Sequence, residues 1–280
     1  MKICILIIYS GASRSVSCGD RINSGTSMDE FRDETYLSMK NILKNFYSKF
    51  KNNDVYYYFT QFREVQTESI ELIENDIYVK GNESYMNILD KTIKSFELMN
   101  KLHIDYDFLI RANISTIIDI NNLLKFLNSI PKNNIYCGGC KLNLQWLDPN
   151  YGIVDDTLFG LNYIQGTSII LSKNIVESIC NNKDKLNYKI IDDVSIGLFI
   201  KKYHNNIFVD THNLNKYNNI KVNVDQSVFM KSYGEGNCLE SIDNIQNKNI
   251  VFYRNRSNLN KVDMARMEMI SKCLIEIYNL

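Results

Sequence analysis

Two neighbouring acids and a short polar cluster are the residues best suited to chemistry. Asp192 and Asp193 lie in IDDVSIGLFIKK (191–202), after an apolar stretch and before a helical repeat carrying Ile196, Phe199 and Ile200. A carboxylate at such a junction can take a proton from an attacking hydroxyl, and one base suffices where no covalent intermediate forms. An aspartate at a helix start also serves as a cap, and two acids allow both roles. The second feature is YDFLIRANISTIIDINNLLKFL (106–127), an apolar run that ends in Arg111, Asn113 and Ser115 and leads through a second apolar run into a helical repeat. An α/β protein delivers polar side chains to the carboxyl edge of its sheet in this way.

The elements that must position these residues follow from periodicity. MKICILIIYS opens the chain with an apolar run too short, and too poor in a cleavage site, for a leader, so 2–9 is expected as a buried strand. A glycine-bearing loop follows over 10–27. The apolar spacing of Leu37, Ile42, Leu43, Phe46 and Phe50 predicts a helix over 29–50, and Met86, Leu89, Ile93, Phe96 and Met99 predict one over 82–102. Strands are expected at 55–59 and 108–110, and a helix at 121–127. This alternation predicts a mostly parallel sheet covered by helices. Shorter strands are expected at 134–137, 163–171, 206–209 and 249–253. Helices are expected at 174–180, after Asp193 and at 261–277, and the polar segment 211–249 is expected to be irregular. No internal repeat or domain boundary stands out, so 1–280 is expected to form a single domain.

Composition narrows the function. A chain of 280 residues, 45% apolar and 23% charged, can build a substantial core. Its 32 basic and 32 acidic residues give no basic excess for a nucleic-acid partner. No segment approaches eighteen uninterrupted apolar residues, so no membrane span is expected. The seven cysteines are scattered and odd in number, which fits a reducing compartment, and the lone pair Cys137 and Cys140 is weak as a metal motif. His103, His204 and His212 lack metal spacing. There is no G-x-G-x-x-G after the first strand, no phosphate-binding P-loop and no G-x-S-x-G, which sets aside dinucleotide enzymes, P-loop ATPases and serine hydrolases.

Three blocks in register resemble the nucleotide-sugar glycosyltransferases of the A-type fold. They are 105–127, YIQGTSIILSKNIV (163–176) and 191–202. The closest likeness is to the beta-1,3-galactosyl- and N-acetylglucosaminyl-transferases, the Fringe group, and related small viral and bacterial transferases. The resemblance implies an inverting hexosyl transfer from a nucleotide sugar, a UDP-sugar by analogy, to a hydroxyl of a glycan acceptor. It assigns the base to Asp193, with Asp192 orienting the loop or the acceptor. It makes 1–130 the donor-nucleotide half and 131–280 the acceptor and catalytic half. No tightly bound cofactor is implied beyond the donor's metal.

In that family a D-x-D motif holds Mg²⁺ or Mn²⁺ on the donor diphosphate. The matching positions here are Asn113 and Ser115, and no histidine stands near Tyr253 where the family offers one late in the chain. Neutral ligands suit a hard cation poorly, so a divalent metal is disfavoured, with Asp107 the remaining nearby acid. The departing diphosphate then needs other cations, and arginine supplies a permanent charge with bidentate geometry. Arg14, Arg111, Arg254 and Arg256 are the candidates, Arg254 foremost, and Gly11 with Arg14 resembles the family's first nucleotide contact. Gln165, Gly166 and Thr167 are expected at the donor sugar, with Gly166 allowing close approach. Trp146 and Tyr151 could stack on a sugar or on the core, and Asp155 and Asp156 could grip an acceptor or face solvent. The expected location is the cytoplasm, which for a viral chain means the host cell or the virion. Oligomeric state is open.

Overall fold

The computed structural model describes residues 1–9, 27–50, 54–63, 69–204, 230–233, 245, 249–255 and 260–280, with side chains from residue 34 in the first helix and from 261 in the last. Gly11, Arg14, His212, Arg256, the strand expected at 206–209 and most of 211–249 lie outside these residues.

The strands are β1 (Ile3–Ile8), β2 (Val55–Arg63), β3 (Ile70–Ile73), β4 (Asp76–Lys80), β5 (Phe108–Asn113), β6 (Thr116–Ile118), β7 (Tyr136–Gly138), β8 (Lys141–Asn143), β9 (Asn162–Ile164), β10 (Ser168–Ser172), β11 (Met230–Tyr233) and β12 (Phe252–Asn255). The helices are α1 (Ser27–Ser48), α2 (Ile88–Lys101), α3 (Ile120–Asn128), α4 (Lys173–Asn181), α5 (Asp192–Tyr203) and α6 (Asn260–Tyr278). Seven strands form the central sheet in the order β3-β4-β2-β1-β5-β10-β7.

The α/β layering with helices on both faces matches the expectation in its broad A-type outline, but the sheet is mixed rather than mostly parallel. The pairs β4–β2, β2–β1 and β1–β5 are parallel, while β3–β4, β5–β10 and β10–β7 are antiparallel. Two local features cause the difference. The stretch 163–171 is not one strand: β9 ends at Ile164, the chain turns through Gln165–Thr167, and β10 runs back against β5. The β3–β4 hairpin adds an antiparallel edge where the sequence shows no strong alternation.

Alternation along β1 divides the core. Ile3, Ile5 and Ile7 pack toward α1, α3 and α6, and Cys4, Leu6 and Ile8 pack toward α2, α4 and α5. All six are buried, as a central strand requires. The same alternation governs β5. Phe108, Ile110 and Ala112 join the first cluster and Leu109 the second, so Arg111 falls on the α2/α5 side. A three-stranded sheet, β11-β12-β6, extends from the end of β5 and brings Arg254 opposite Thr116. No helix among the described residues is long and apolar enough to cross a membrane.

Candidate functional site

The carboxyl ends of β1, β2 and β5 share one edge, since Ile8 pairs with both Thr60 and Asn113. β10 begins at the same edge, with Ser168 opposite Ala112, so the Gln165–Thr167 turn lies beside the end of β5. The first turn of α5 arrives there with both acids buried, Asp192 at 5% and Asp193 at 9% exposure.

Arg111 turns toward α5 and forms a buried ion pair with Asp192. Gly166 lies hard against this guanidinium: a Cβ there would sit 2.5 Å from Arg111 Nη1, so the ion-paired side chain would have to shift. Gly166 therefore makes room for a protein guanidinium. Its N–H donates to Asp193 Oδ2 at 2.9 Å, and the Val194 N–H donates to Oδ1 at 2.8 Å. Burial pushes the Asp193 carboxyl well above the usual carboxylate range, and the neighbouring Asp192 charge adds to the effect. The two N–H donors and Arg111 oppose the shift without cancelling it. A carboxyl so held is a competent proton acceptor near neutrality.

Asn113 and Ser115 lie at the same edge but are separated in role from Arg111. Asn113 Oδ1 accepts from Thr116 Oγ1 at 2.8 Å and from Ser115 Oγ at 3.2 Å. The amide oxygen is thus engaged by two hydroxyls, and neither residue offers an anionic ligand. This pair does not fit a hard divalent cation. Asp107 immediately precedes β5 at the opposite edge, where it accepts from the Lys2 N–H at 2.9 Å and from Lys132 Nζ at 3.0 Å, so it lies apart from this site. Among the described residues no three His, Cys, Asp or Glu side chains gather as a metal-binding group.

Arg254, half-buried on β12, donates from Nη1 to Gln165 Oε1 at 2.7 Å. The preferred arginine and the expected sugar-contacting glutamine are therefore in contact. The Thr167 hydroxyl, in a residue 4% exposed, and Arg111 Nε are buried without a hydrogen-bond partner among the described residues. Both lie around the Gln165–Thr167 turn. Cys140 is close enough to Arg254 for the cation to act on its thiol, although burial dominates and raises it. Cys137 and Cys140 are free thiols.

Several residues absent from the motifs complete the site. Lys91 of α2 is fully buried and donates to both Glu83 oxygens at 2.8 Å and to the Tyr9 carbonyl at 3.0 Å. Burial lowers its pKa, Glu83 opposes that, and the charges of Arg111 and Asp192 also reach it. Two cations and three carboxylates thus share this part of the sheet edge. A lysine and a serine four apart in the predicted helix, Lys91 and Ser95, were the available signal, since both fall among buried positions. Asp155 is engaged as a local cap on Thr157, and Asp156 is exposed. His103 is exposed at the end of α2, and His204 Nε2 lies 2.8 Å from Ser178 Oγ at the far end of α5.

Comparison with known proteins bears on this arrangement. The sequence model of the galactosyltransferase family matches residues 59–215. That span contains Arg111, Asn113, Gln165, Gly166 and the acid pair, while Arg254 falls beyond it. No curated protein matches the chain. Among solved structures, a glycosyltransferase involved in the glycosylation of the major capsid of PBCV-1 aligns over 96% of this chain and 100% of its own, with 8% identity and a TM-score of 0.46.

Proposed function

The chain belongs to the galactosyltransferase family, and from that premise we propose that it is an inverting glycosyltransferase moving a sugar from a nucleotide-sugar donor, a UDP-sugar, to a hydroxyl of a glycan acceptor. The observation that carries this reading is Asp193: a buried carboxyl at the sheet edge, oriented by two backbone N–H groups and shifted toward neutrality. Asp193 takes the proton from the acceptor hydroxyl as its oxygen bonds to the anomeric carbon. On the opposite face the bond from that carbon to the diphosphate oxygen breaks, and the nucleoside diphosphate leaves with the electron pair. Arg111 is a positioning residue that holds Asp192, and Asp192 in turn sets the charge beside the base.

Arg254 stabilises the departing diphosphate in this reading, together with Arg14 and Arg256, and Gln165 and Thr167 hold the donor sugar. The engagement of Asn113 Oδ1 by two hydroxyls supports transfer without a strict divalent metal. Electrostatic stabilisation of a leaving group by fixed cations is worth several kcal/mol in a site closed to water, which is sufficient to replace part of a metal's contribution. In this reading the donor site draws on both halves of the chain, since Arg254, Gln165 and Thr167 lie beyond residue 130.

The test is release of UDP from UDP-galactose, UDP-glucose and UDP-N-acetylglucosamine, with and without EDTA. Turnover that survives the chelator is the expected result. Activity lost to EDTA and restored by Mn²⁺ would overturn the metal-free clause. No turnover with any donor would favour a degenerate protein of the same fold that only binds nucleotide or glycan. Arg254→Ala is expected to weaken UDP binding at least tenfold while leaving the circular dichroism spectrum unchanged.

A further inference from the structure

A row of three aromatic rings from two distant segments borders the acid pair. Tyr85 lies in a 3-10 turn, Tyr85–Asn87, just before α2, and Tyr151 ends a second turn, Pro149–Tyr151. The Tyr85 and Tyr151 centroids are 5.2 Å apart at 67°, and those of Trp146 and Tyr151 are 5.6 Å apart at 74°. Both contacts are edge-to-face, so each covers one face of one ring and leaves the partner ring's faces free of that contact.

The row is tied to the acids from both sides. The Tyr151 carbonyl accepts from the N–H of Ile191, the residue before Asp192, at 3.1 Å. Gly152 follows in the left-handed region at φ 71°, and a Cβ there would lie 1.8 Å from the Lys189 carbonyl, so the loop is pressed onto the segment leading into α5. Trp146 packs against the apolar cluster that contains Tyr163, and the Tyr163 hydroxyl feels the Asp193 charge. On the other side, the buried Glu83–Lys91 pair and the Ser84 cap fix the turn that carries Tyr85. The Tyr85 hydroxyl feels Asp192, Asp193 and Arg111.

Beneath Trp146 and Tyr151 lies an apolar cluster of Leu144, Ile153, Leu161, Tyr163, Ile190, Ile191 and Val194. Tyr85, by contrast, is 41% exposed and stands over the rim. A large aromatic held firmly at the rim of a buried carboxylate, with part of its surface in water, is not explained by core packing. Pyranose rings present C–H faces that pack on aromatic surfaces and equatorial hydroxyls that point along them.

We propose that Tyr85, Tyr151 and Trp146 form the acceptor subsite, against which a neutral pyranoside packs with one hydroxyl directed at Asp193. This rests on the transferase reading above. Deprotonated Asp193 disfavours a uronic or sialic acid at this position, because the two ion pairs balance the other carboxylates and leave its one negative charge to repel a like charge. Specificity for the acceptor ring then resides in the turn after Ser84 and the loop 144–153, outside the donor residues.

Trp146 is the only tryptophan in the chain, so its emission reports on this row alone. Methyl β-D-galactopyranoside, methyl β-D-glucopyranoside and methyl N-acetyl-β-D-glucosaminide are titrated against the intact protein, with methyl β-D-glucuronide as the charged comparison. At least one neutral glycoside is expected to shift the emission saturably, and the glucuronide to bind more weakly. Tyr85→Ala is expected to weaken that binding about fivefold, and Tyr85→Phe to retain most of it. No emission change with any neutral glycoside, preferred binding of the glucuronide, or unaltered binding by Tyr85→Ala would overturn the proposal. A protein that binds glycoside here but turns over no UDP-sugar would leave this subsite standing and refute the transferase reading instead.

Discussion

Asp193 has a pKa raised first by burial and next by Asp192, and the sign of that shift has a measurable consequence. A raised carboxyl holds its proton to higher pH, and a general base works only when deprotonated. The pH profile of transfer is therefore expected to fall on its acid side with unit slope, at a midpoint above the ordinary carboxylate range near 4. Asp192→Asn removes the second cause of the shift, so the acid limb should move to lower pH. An acid limb at the same pH in both proteins would show that another group titrates. Gly166 makes a second residue-scale prediction. Gly166→Ala places a methyl group 2.5 Å from Arg111 Nη1, and the buried guanidinium can give way only by loosening Asp192. Disturbing a buried ion pair is costly. Transfer should drop at least tenfold with the fold retained, as judged by steady-state kinetics and circular dichroism. Wild-type rates would mean that the Arg111 contact does not matter.

At the scale of elements, the site depends on how β5 ends. The chain leaves Asn113, turns through Ser115, and enters β6 and α3, and α3 is fixed by Asp119. Asp119 accepts from the Asn122 N–H at 3.0 Å as an N-cap, and Tyr278 at the end of α6 donates to its Oδ2 at 2.9 Å. Burial nonetheless raises the Asp119 carboxyl to about 6. Asp119→Ala should cost about 1–3 kcal/mol in urea unfolding through the lost cap and the orphaned tyrosine. Because the folded pKa is raised, the native chain loses stability as pH rises through about 6, a step the alanine variant lacks. The gap between the two should therefore be widest below about pH 4, shrink as pH rises from there to about 6, and stay level above it. A gap that widens with pH would contradict the assignment.

These elements also show what the sequence discloses. The runs of β1 and β5 and the periodicities of α2, α3, α4 and α5 are visible because each buries one continuous face or stripe. The mixed sheet is not visible, because the turn at Gln165–Thr167 carries only one glycine and flanks two apolar strands that read as one. The acid pair and the Arg254–Gln165 contact involve residues singled out from motifs. The Arg111–Asp192 pair joins positions 81 apart, and only the alternation of β5 toward α5 could have paired them. Glu83, Lys91 and Tyr85 were missed because tertiary contacts, not local pattern, bury or present them.

For the whole molecule, two helical layers on a mixed sheet bring four separate segments to one edge: the end of β5, the turn before β10, the start of α5 and the end of β12. Charge is concentrated there. Glu83, Lys91, Arg111, Asp192 and Asp193 form two buried ion pairs and one extra carboxyl, and the extra carboxyl is the one whose pKa is raised. A single proton on Asp193 balances the group, and that is the proton the proposed reaction delivers. The account stands most directly on Asp193→Asn, measured for both UDP affinity and the rate of sugar transfer in the same preparation. The predicted result is UDP binding within about threefold of the native protein and transfer lowered by about 10²–10⁴-fold. Transfer within tenfold of the native rate, or UDP binding lost together with transfer, would contradict it.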